Sequence, residues 1–288
     1  MLRERLESRL GTSPGHLLIL LAAGAGAGFA SGLLGVGGGF VMVPVMYWVI
    51  VAMGTTQSVA IMTAFGTSLL VILPTAASGT WRHSRKGAVR WSAALVLGPC
   101  GLLGGLAGAT LAAHLPGWAL RAGFGGVVLA VAAWMGLGSK SRLAKEGVEL
   151  KDKRWLFAAL GFPIGMISGL TGLGGGALIV PALIATLGFP VHLAVGTSAA
   201  SIMFTGLGGI IGYVANGVGV AGLLPYSIGY INLPLWLCLI AASVPMAQLG
   251  ARTAHALPAR QLRYVFVALM LYIGLRMVGV FSWLGLPL

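Results

Sequence analysis

Long apolar runs separated by short polar breaks set the pattern of this chain. The runs fall at 17–34, 36–53, 59–79, 92–113 and 118–138, then at 155–172, 174–188, 193–214, 233–254 and 263–285. Most approach or exceed the ~20 helical residues needed to cross ~30 Å of hydrocarbon. Backbone polar groups in a bilayer must be satisfied within the protein, so runs of this kind predict transmembrane helices. The pattern predicts an all-α polytopic bundle with about 8 full spans.

The polar breaks carry the topology. The longest, SKSRLAKEGVELKDKRW (Ser139 to Trp155), holds six cations and three acids. WRHSRKGAVRW (Trp81 to Trp91) is also basic, and the chain begins with a charged tail (Arg3, Glu4, Arg5, Glu7, Arg9) rather than a signal peptide. Cation excess marks cytoplasmic loops, which places all three on one side. The tail and Trp81–Trp91 share a side only if the chain crosses an even number of times between them. Three apolar segments lie in that interval, so one is broken or re-entrant, or the charge rule fails locally.

The stretch GLLGVGGGFVMVP (Gly32 to Pro44) is the expected break. Glycine lowers helix propensity by about 1 kcal/mol per residue, and Pro44 removes a backbone donor soon after. Non-helical backbone at membrane depth survives only where protein or a wet cavity covers it. The expectation is a broken helix that faces inward.

The chain is duplicated. A shift of 137 residues aligns GFASGLLGVGGGFVMVP (Gly28 to Pro44) with GMISGLTGLGGGALIVP (Gly165 to Pro181), identical at ten of seventeen positions. AFGTS (Ala64 to Ser68) pairs with AVGTS (Ala194 to Ser198), and AGATLAAHLP (Ala107 to Pro116) with LGARTAHALP (Leu249 to Pro258). The expected organisation is a first transmembrane repeat at 1–138, a cytoplasmic linker at 139–154 and a second repeat at 155–288.

Composition narrows the function. Of 288 residues, 58% are hydrophobic and 8% charged, with mean hydropathy +0.96; a soluble surface needs about 25% charged residues. The net charge of +13 sits in short loops between spans, which is membrane topology and excludes a nucleic-acid partner. The five acids, Glu4, Glu7, Glu146, Glu149 and Asp152, all fall in the tail or the linker. A proton relay or cation site normally needs a carboxylate inside the membrane, so an anion is the cargo easiest to accommodate. Cys100 and Cys238 lie within apolar runs and read as core residues. His83, His114, His192 and His255 sit at segment ends without metal spacing, so neither metal nor cofactor is expected, and no Ser/His/Asp set points to an enzyme.

Repeat-built transporters hold substrate at the repeat interface, where discontinuous helices leave backbone groups free. Gly37, Gly38 and Gly39, with Gly174, Gly175 and Gly176, offer N–H donors beside a helix start, a favourable setting for an anion. The hydroxyls of Ser31, Thr67, Ser68, Ser168, Thr197 and Ser198 are candidate donors to the same ion; their other reading is a bond to a carbonyl one turn back. Glycines four apart (Gly28/Gly32, Gly104/Gly108, Gly165/Gly169) read as close helix packing. Arg276, inside the last apolar run, either snorkels to an interface or meets the anion.

With these residues laid out, the chain resembles the TauE/SafE-type sulfite exporter family, also called the toluene-sulfonate uptake permease family. The likeness rests on the paired SGLLGVGGGFVMVP and SGLTGLGGGALIVP phrases, the paired GTS phrases, the short basic loops and the length, and it covers essentially the whole chain. The resemblance implies a bacterial inner-membrane secondary transporter for sulfite or small organosulfonates. It sets the glycine motif on Gly35, Gly37, Gly38, Gly39 and Pro44 and on Gly172, Gly174, Gly175, Gly176 and Pro181. The alternative from another class is a membrane assembly or partner protein whose glycines serve only helix packing. A polar cavity between the halves distinguishes the two.

Overall fold

The computed structural model describes residues 14–34, 37–137, 154–253 and 259–283. The elements are α1 (Pro14–Leu34), α2 (Gly39–Ala52), α3 (Gln57–Arg85), α4 (Trp91–Ala113), α5 (Gly117–Leu137), α6 (Arg154–Thr171), α7 (Gly176–Leu187), α8 (Val191–Gly217), β1 (Ser227–Ile228), β2 (Ile231–Asn232), α9 (Leu233–Thr253), α10 (Ala259–Val278) and α11 (Val280–Trp283). Among the described residues, seven helices (α1, α3, α4, α5, α6, α8 and α9) are long and apolar enough to cross a membrane. The 20-residue α10 runs beside α5. Among the described residues, α2, with 14 residues, α7, with 12, and α11, with 4, are too short to span. The expected all-α bundle is the observed fold. Prolines 44, 74, 99, 163, 181 and 245 lie inside helices, which membrane helices tolerate when neighbours cover the freed carbonyl.

Glycine seams hold the spans together. Gly24, Gly28 and Gly32 of α1 press on Leu239, Ser243 and Ala247 of α9; a Cβ on Gly32 would clash with the Ala247 carbonyl oxygen. Gly161, Gly165 and Gly169 of α6 press in the same way on Leu97, Gly101 and Gly105 of α4, and Gly104 and Gly108 return the contact. The four-residue spacing keeps one helix face bare, so backbones touch and dispersion replaces the hydrophobic effect that lipid does not supply. All three glycine pairs read from the sequence as packing sites pack. Each seam joins the first helix of one half to the fourth helix of the other, which interlocks the halves.

The contacts also fix direction. Residues 24 to 32 run alongside 239 to 247, and Thr67, Leu70 and Ser78 of α3 meet Asn232, Trp236 and Gln248 in the same sense. Helices α1, α3 and α9 are therefore parallel and run from the end of the bundle at Pro14 to the end at Arg85. Helix α5 starts beside Ser58 and runs the same way; α4, α6, α8 and α10 run back. The two halves thus have opposite orientation.

This geometry corrects the even-crossing expectation. The start of α1 and the Trp81–Trp91 segment lie at opposite ends of the bundle, because the chain returns between them through the break and α2. The tail itself (1–13), the linker residues 138–153 and His255 lie outside the described residues. Charge on the tail is nearly balanced, three cations against two acids, so it pulls weakly on topology. The basic loop is also shorter than expected: α3 continues through Arg85 and leaves only 86–90 as the turn.

The sequence pattern left 215–232 without an element. It closes as a short hairpin in which Ser227 pairs with Asn232 and Ile228 with Ile231. The hairpin folds inward: the Tyr230 N–H donates to the Tyr213 carbonyl, and the two rings meet edge to face at 6.4 Å. Asn232 Oδ1 then accepts the Leu235 N–H and caps α9.

Gly26 and Gly32 share a helix but not a neighbour: nothing lies within 4 Å of a Cβ on Gly26. Gly32→Ala is expected to lose about 1–3 kcal/mol through overpacking, and Gly26→Ala to gain up to about 1 kcal/mol from propensity. Thermal melting of both purified variants in detergent checks this, and equal shifts would refute the seam.

Candidate functional site

Both glycine runs break their helices. Helix α2 starts after Gly38, with φ 70°, and α7 after Gly175, with φ 84°. Gly37 and Gly174 are also at positive φ, 88° and 78°, where a side chain costs roughly 1–2 kcal/mol. Breaks therefore fall at twin positions, and the helices run on through Pro44 and Pro181. Gly35 and Val36 lie outside the described residues.

The two breaks meet. A Cβ on Gly39 would stand 2.9 Å from the Gly172 oxygen, and one on Gly37 3.3 Å from the Leu173 oxygen. Ile72 of α3 packs against Gly37, Gly39 and Gly174 together. From this meeting point α2 runs to the Pro14 end and α7 to the Arg85 end, so their N-termini face each other near the middle of the bundle. Each terminus carries unpaired N–H groups and the positive end of its dipole. Helices α3 and α8, the two most buried spans, cover the breaks.

The hydroxyls divide by role. Thr67 Oγ1 accepts the Asn232 N–H at 3.0 Å and Thr197 Oγ1 accepts the Arg90 N–H at 3.0 Å. Each threonine thereby fixes the entry of a fourth-position helix from the opposite half, α9 or α4. Ser68 Oγ donates to the Gly172 carbonyl at 2.6 Å and ties down the second break. Ser168 is fully buried beside Gly175, and its Oγ has no partner among the described residues; Ser198 Oγ is in the same condition. Ser31 lines a cavity of about 10 Å³ together with Gly32, Gly37, Thr75, Gly79 and His83. That is room for about one water.

Thr205 and Ile72 belong to the site and escaped the sequence reading. Thr205 Oγ1 donates to the Gly174 carbonyl at 2.9 Å. Its twin Thr75 donates only to Val71 and Ile72 of its own helix. The signal was present: extending the GTS alignment pairs TSLLVILPT (67–75) with TSAASIMFT (197–205), which matches Thr75 with Thr205 and Ile72 with Ile202. The two breaks are thus unequal, the second latched by Ser68 and Thr205, the first bordering the cavity.

Arg276 is not at this site. Its guanidinium stacks 4.0 Å over the Trp48 ring and donates to the Tyr272 hydroxyl near the Pro14 end. Arg252 is exposed in the last turn of α9. His114 caps α4 with Nδ1 2.8 Å from the Thr110 carbonyl.

Comparison with known proteins places this architecture. The profile of the family described as Sulfite exporter TauE/SafE matches residues 20–277. A "Probable membrane transporter protein" of Haemophilus influenzae is 33% identical over 270 residues, 91% of this chain and 97% of that protein. A protein of Methanocaldococcus jannaschii with the same description is 29% identical, covering 91% and 95%. One of Bacillus subtilis is 26% identical, covering 92% and 99%. No solved structure matches the chain.

The threonine pair generates a stability prediction. Thr67→Val with Thr197→Val leaves two N–H groups without acceptors, at about 1–3 kcal/mol each. The double variant is expected to melt well below either single one. A double variant as stable as the parent would remove the pair from the helix entries.

Proposed function

This chain belongs to the sulfite exporter TauE/SafE family and is a membrane transporter, and on that premise we propose that its cargo is a small sulfur-containing anion, sulfite or an organosulfonate, moved outward as secondary transport. The observation that carries the reading is the meeting of two helix N-termini at Gly37–Gly39 and Gly174–Gly176. Opposed N-termini concentrate partial positive charge and free N–H donors without a formal counter-charge. That suits an oxyanion which must also leave, since passage requires binding that is favourable and shallow. Ser168 and Ser198, buried without partners among the described residues, each have a donor to spare, as do Thr67 and Thr197, whose Oγ1 atoms only accept, and Ser31 faces the cavity that approaches the first break.

The Arg85 end faces the cytoplasm in this reading. Arg82, Arg85, Lys86, Arg90, Arg154 and Arg252 gather there, against Arg121 and Arg276 at the other end. The cavity by Ser31 and His83 then lies on the cytoplasmic half of the path, with the first break as its floor. An inside-negative potential of 100 mV favours outward passage of one negative charge by about 2.3 kcal/mol, so no intramembrane carboxylate is needed for coupling. The membrane is the cytoplasmic membrane of the cell. Passage of an ion through this cavity requires the lining of the first break to part.

Proteoliposomes loaded with labelled sulfite test the proposal under an imposed inside-negative potential. The parent is expected to release label in proportion to the potential. Gly38→Val and Gly175→Val place a side chain at positive φ and are expected to reduce release by about tenfold or more while the protein remains in the membrane. Full release from both variants would contradict the glycine site. Absence of sulfite release from the parent, with release of an organosulfonate, would move the cargo to the organic anions.

A further inference from the structure

Arg121 lies one turn into α5, at the Pro14 end of the bundle. Its Nη1 donates to the Tyr47 hydroxyl at 3.3 Å and its guanidinium carbon stands 6.0 Å from that ring. Both partners are neutral. Its Nε is buried with no acceptor among the described residues, and every carboxylate in the chain lies outside those residues. A half-buried guanidinium at membrane depth is costly unless an anion meets it. Arg276, by contrast, is stacked closely on Trp48.

Beside Arg121 lies an open, shallow recess bordered by Val278, Gly279, Val280 and Trp283. The chain turns at Gly279, with φ 90°, to set α11 against this space. Trp283 is 87% exposed, as expected of an aromatic at the headgroup level. The recess lies where α5 begins and α10 ends, at one end of the spanning bundle, where helix ends meet the headgroup region. One apolar wall and one planar cation match a phosphodiester with the start of its acyl chains. A zwitterionic headgroup would bring an ammonium, and no carboxylate among the described residues is there to receive it.

We infer that Arg121, Val278, Val280 and Trp283 form a binding site for the phosphodiester of an anionic phospholipid, separate from the glycine site in the centre. The occupant neutralises Arg121, which in turn steadies Tyr47 on the broken helix α2.

Native mass spectrometry of the full chain from nanodiscs of equal phosphatidylglycerol and phosphatidylcholine reads this directly. The parent is expected to retain phosphatidylglycerol about tenfold over phosphatidylcholine, the worth of one charge-assisted pair. Arg121→Gln should bring the ratio to parity, and Tyr47→Phe, which keeps the cation, should leave it near the parent's. If Arg121→Gln does not fold, Trp283→Glu places an acid at an exposed rim position and is expected to abolish the preference. No preference in the parent, or one unchanged in both Arg121→Gln and Trp283→Glu, overturns the site. Displacement of phosphatidylglycerol by millimolar inorganic phosphate would likewise overturn it in favour of a free oxyanion.

Discussion

A backbone that leaves its helix inside a bilayer must have its polar groups met by protein, and this molecule is organised around doing so twice at one place. The breaks at Gly37–Gly38 and Gly174–Gly175 use conformations that glycine adopts freely. The carbonyls freed at the second break find Ser68 and Thr205. The N–H groups freed at both breaks face inward, where α3 and α8 exclude lipid. The same constraint explains why the breaks come in a pair, since each lies in the cover of the other.

Covering the breaks requires helices to approach more closely than side chains normally permit. The bare faces of α1, α4, α6 and α9 supply that approach, with carbonyls lying where a Cβ would otherwise stand. Because each seam joins opposite halves, neither half buries its own break alone. Thr67 and Thr197 complete the exchange by holding the first backbone N–H of the partner half's helix. Duplication of the sequence thus becomes interdependence in space.

Much of this was legible in the residues. Apolar run lengths gave the spans, because hydrocarbon thickness fixes helix length, and consecutive glycines gave both breaks, because their propensity cost is local. The charge rule put the tail and Trp81–Trp91 on one side, whereas the start of α1 and Trp81–Trp91 lie at opposite ends of the bundle; Arg3, Arg5 and Arg9 are offset by Glu4 and Glu7, so the tail's charge is a weak topology signal. The hairpin at 227–232 escaped because it is held by Tyr213 and Thr67, contacts distant in sequence. Thr205 escaped because a threonine eight residues past a motif looks like an ordinary helix residue until the carbonyl of Gly174 is seen beside it. The GTS threonines carry a role that repetition alone did not reveal: each accepts a backbone N–H at a helix entry of the opposite half.

The opposed helix starts are proposed to hold an oxyanion. Thermal stability of the purified chain across sulfite, thiosulfate, sulfoacetate and sulfate measures it without requiring transport. The account predicts that at least one sulfur anion raises the melting temperature of the parent in a saturable way. It also predicts that Ser168→Ala with Ser198→Ala, which removes two spare donors while sparing the helix entries, diminishes that rise. A parent indifferent to all four anions, or a double serine variant stabilised as much as the parent, would contradict it.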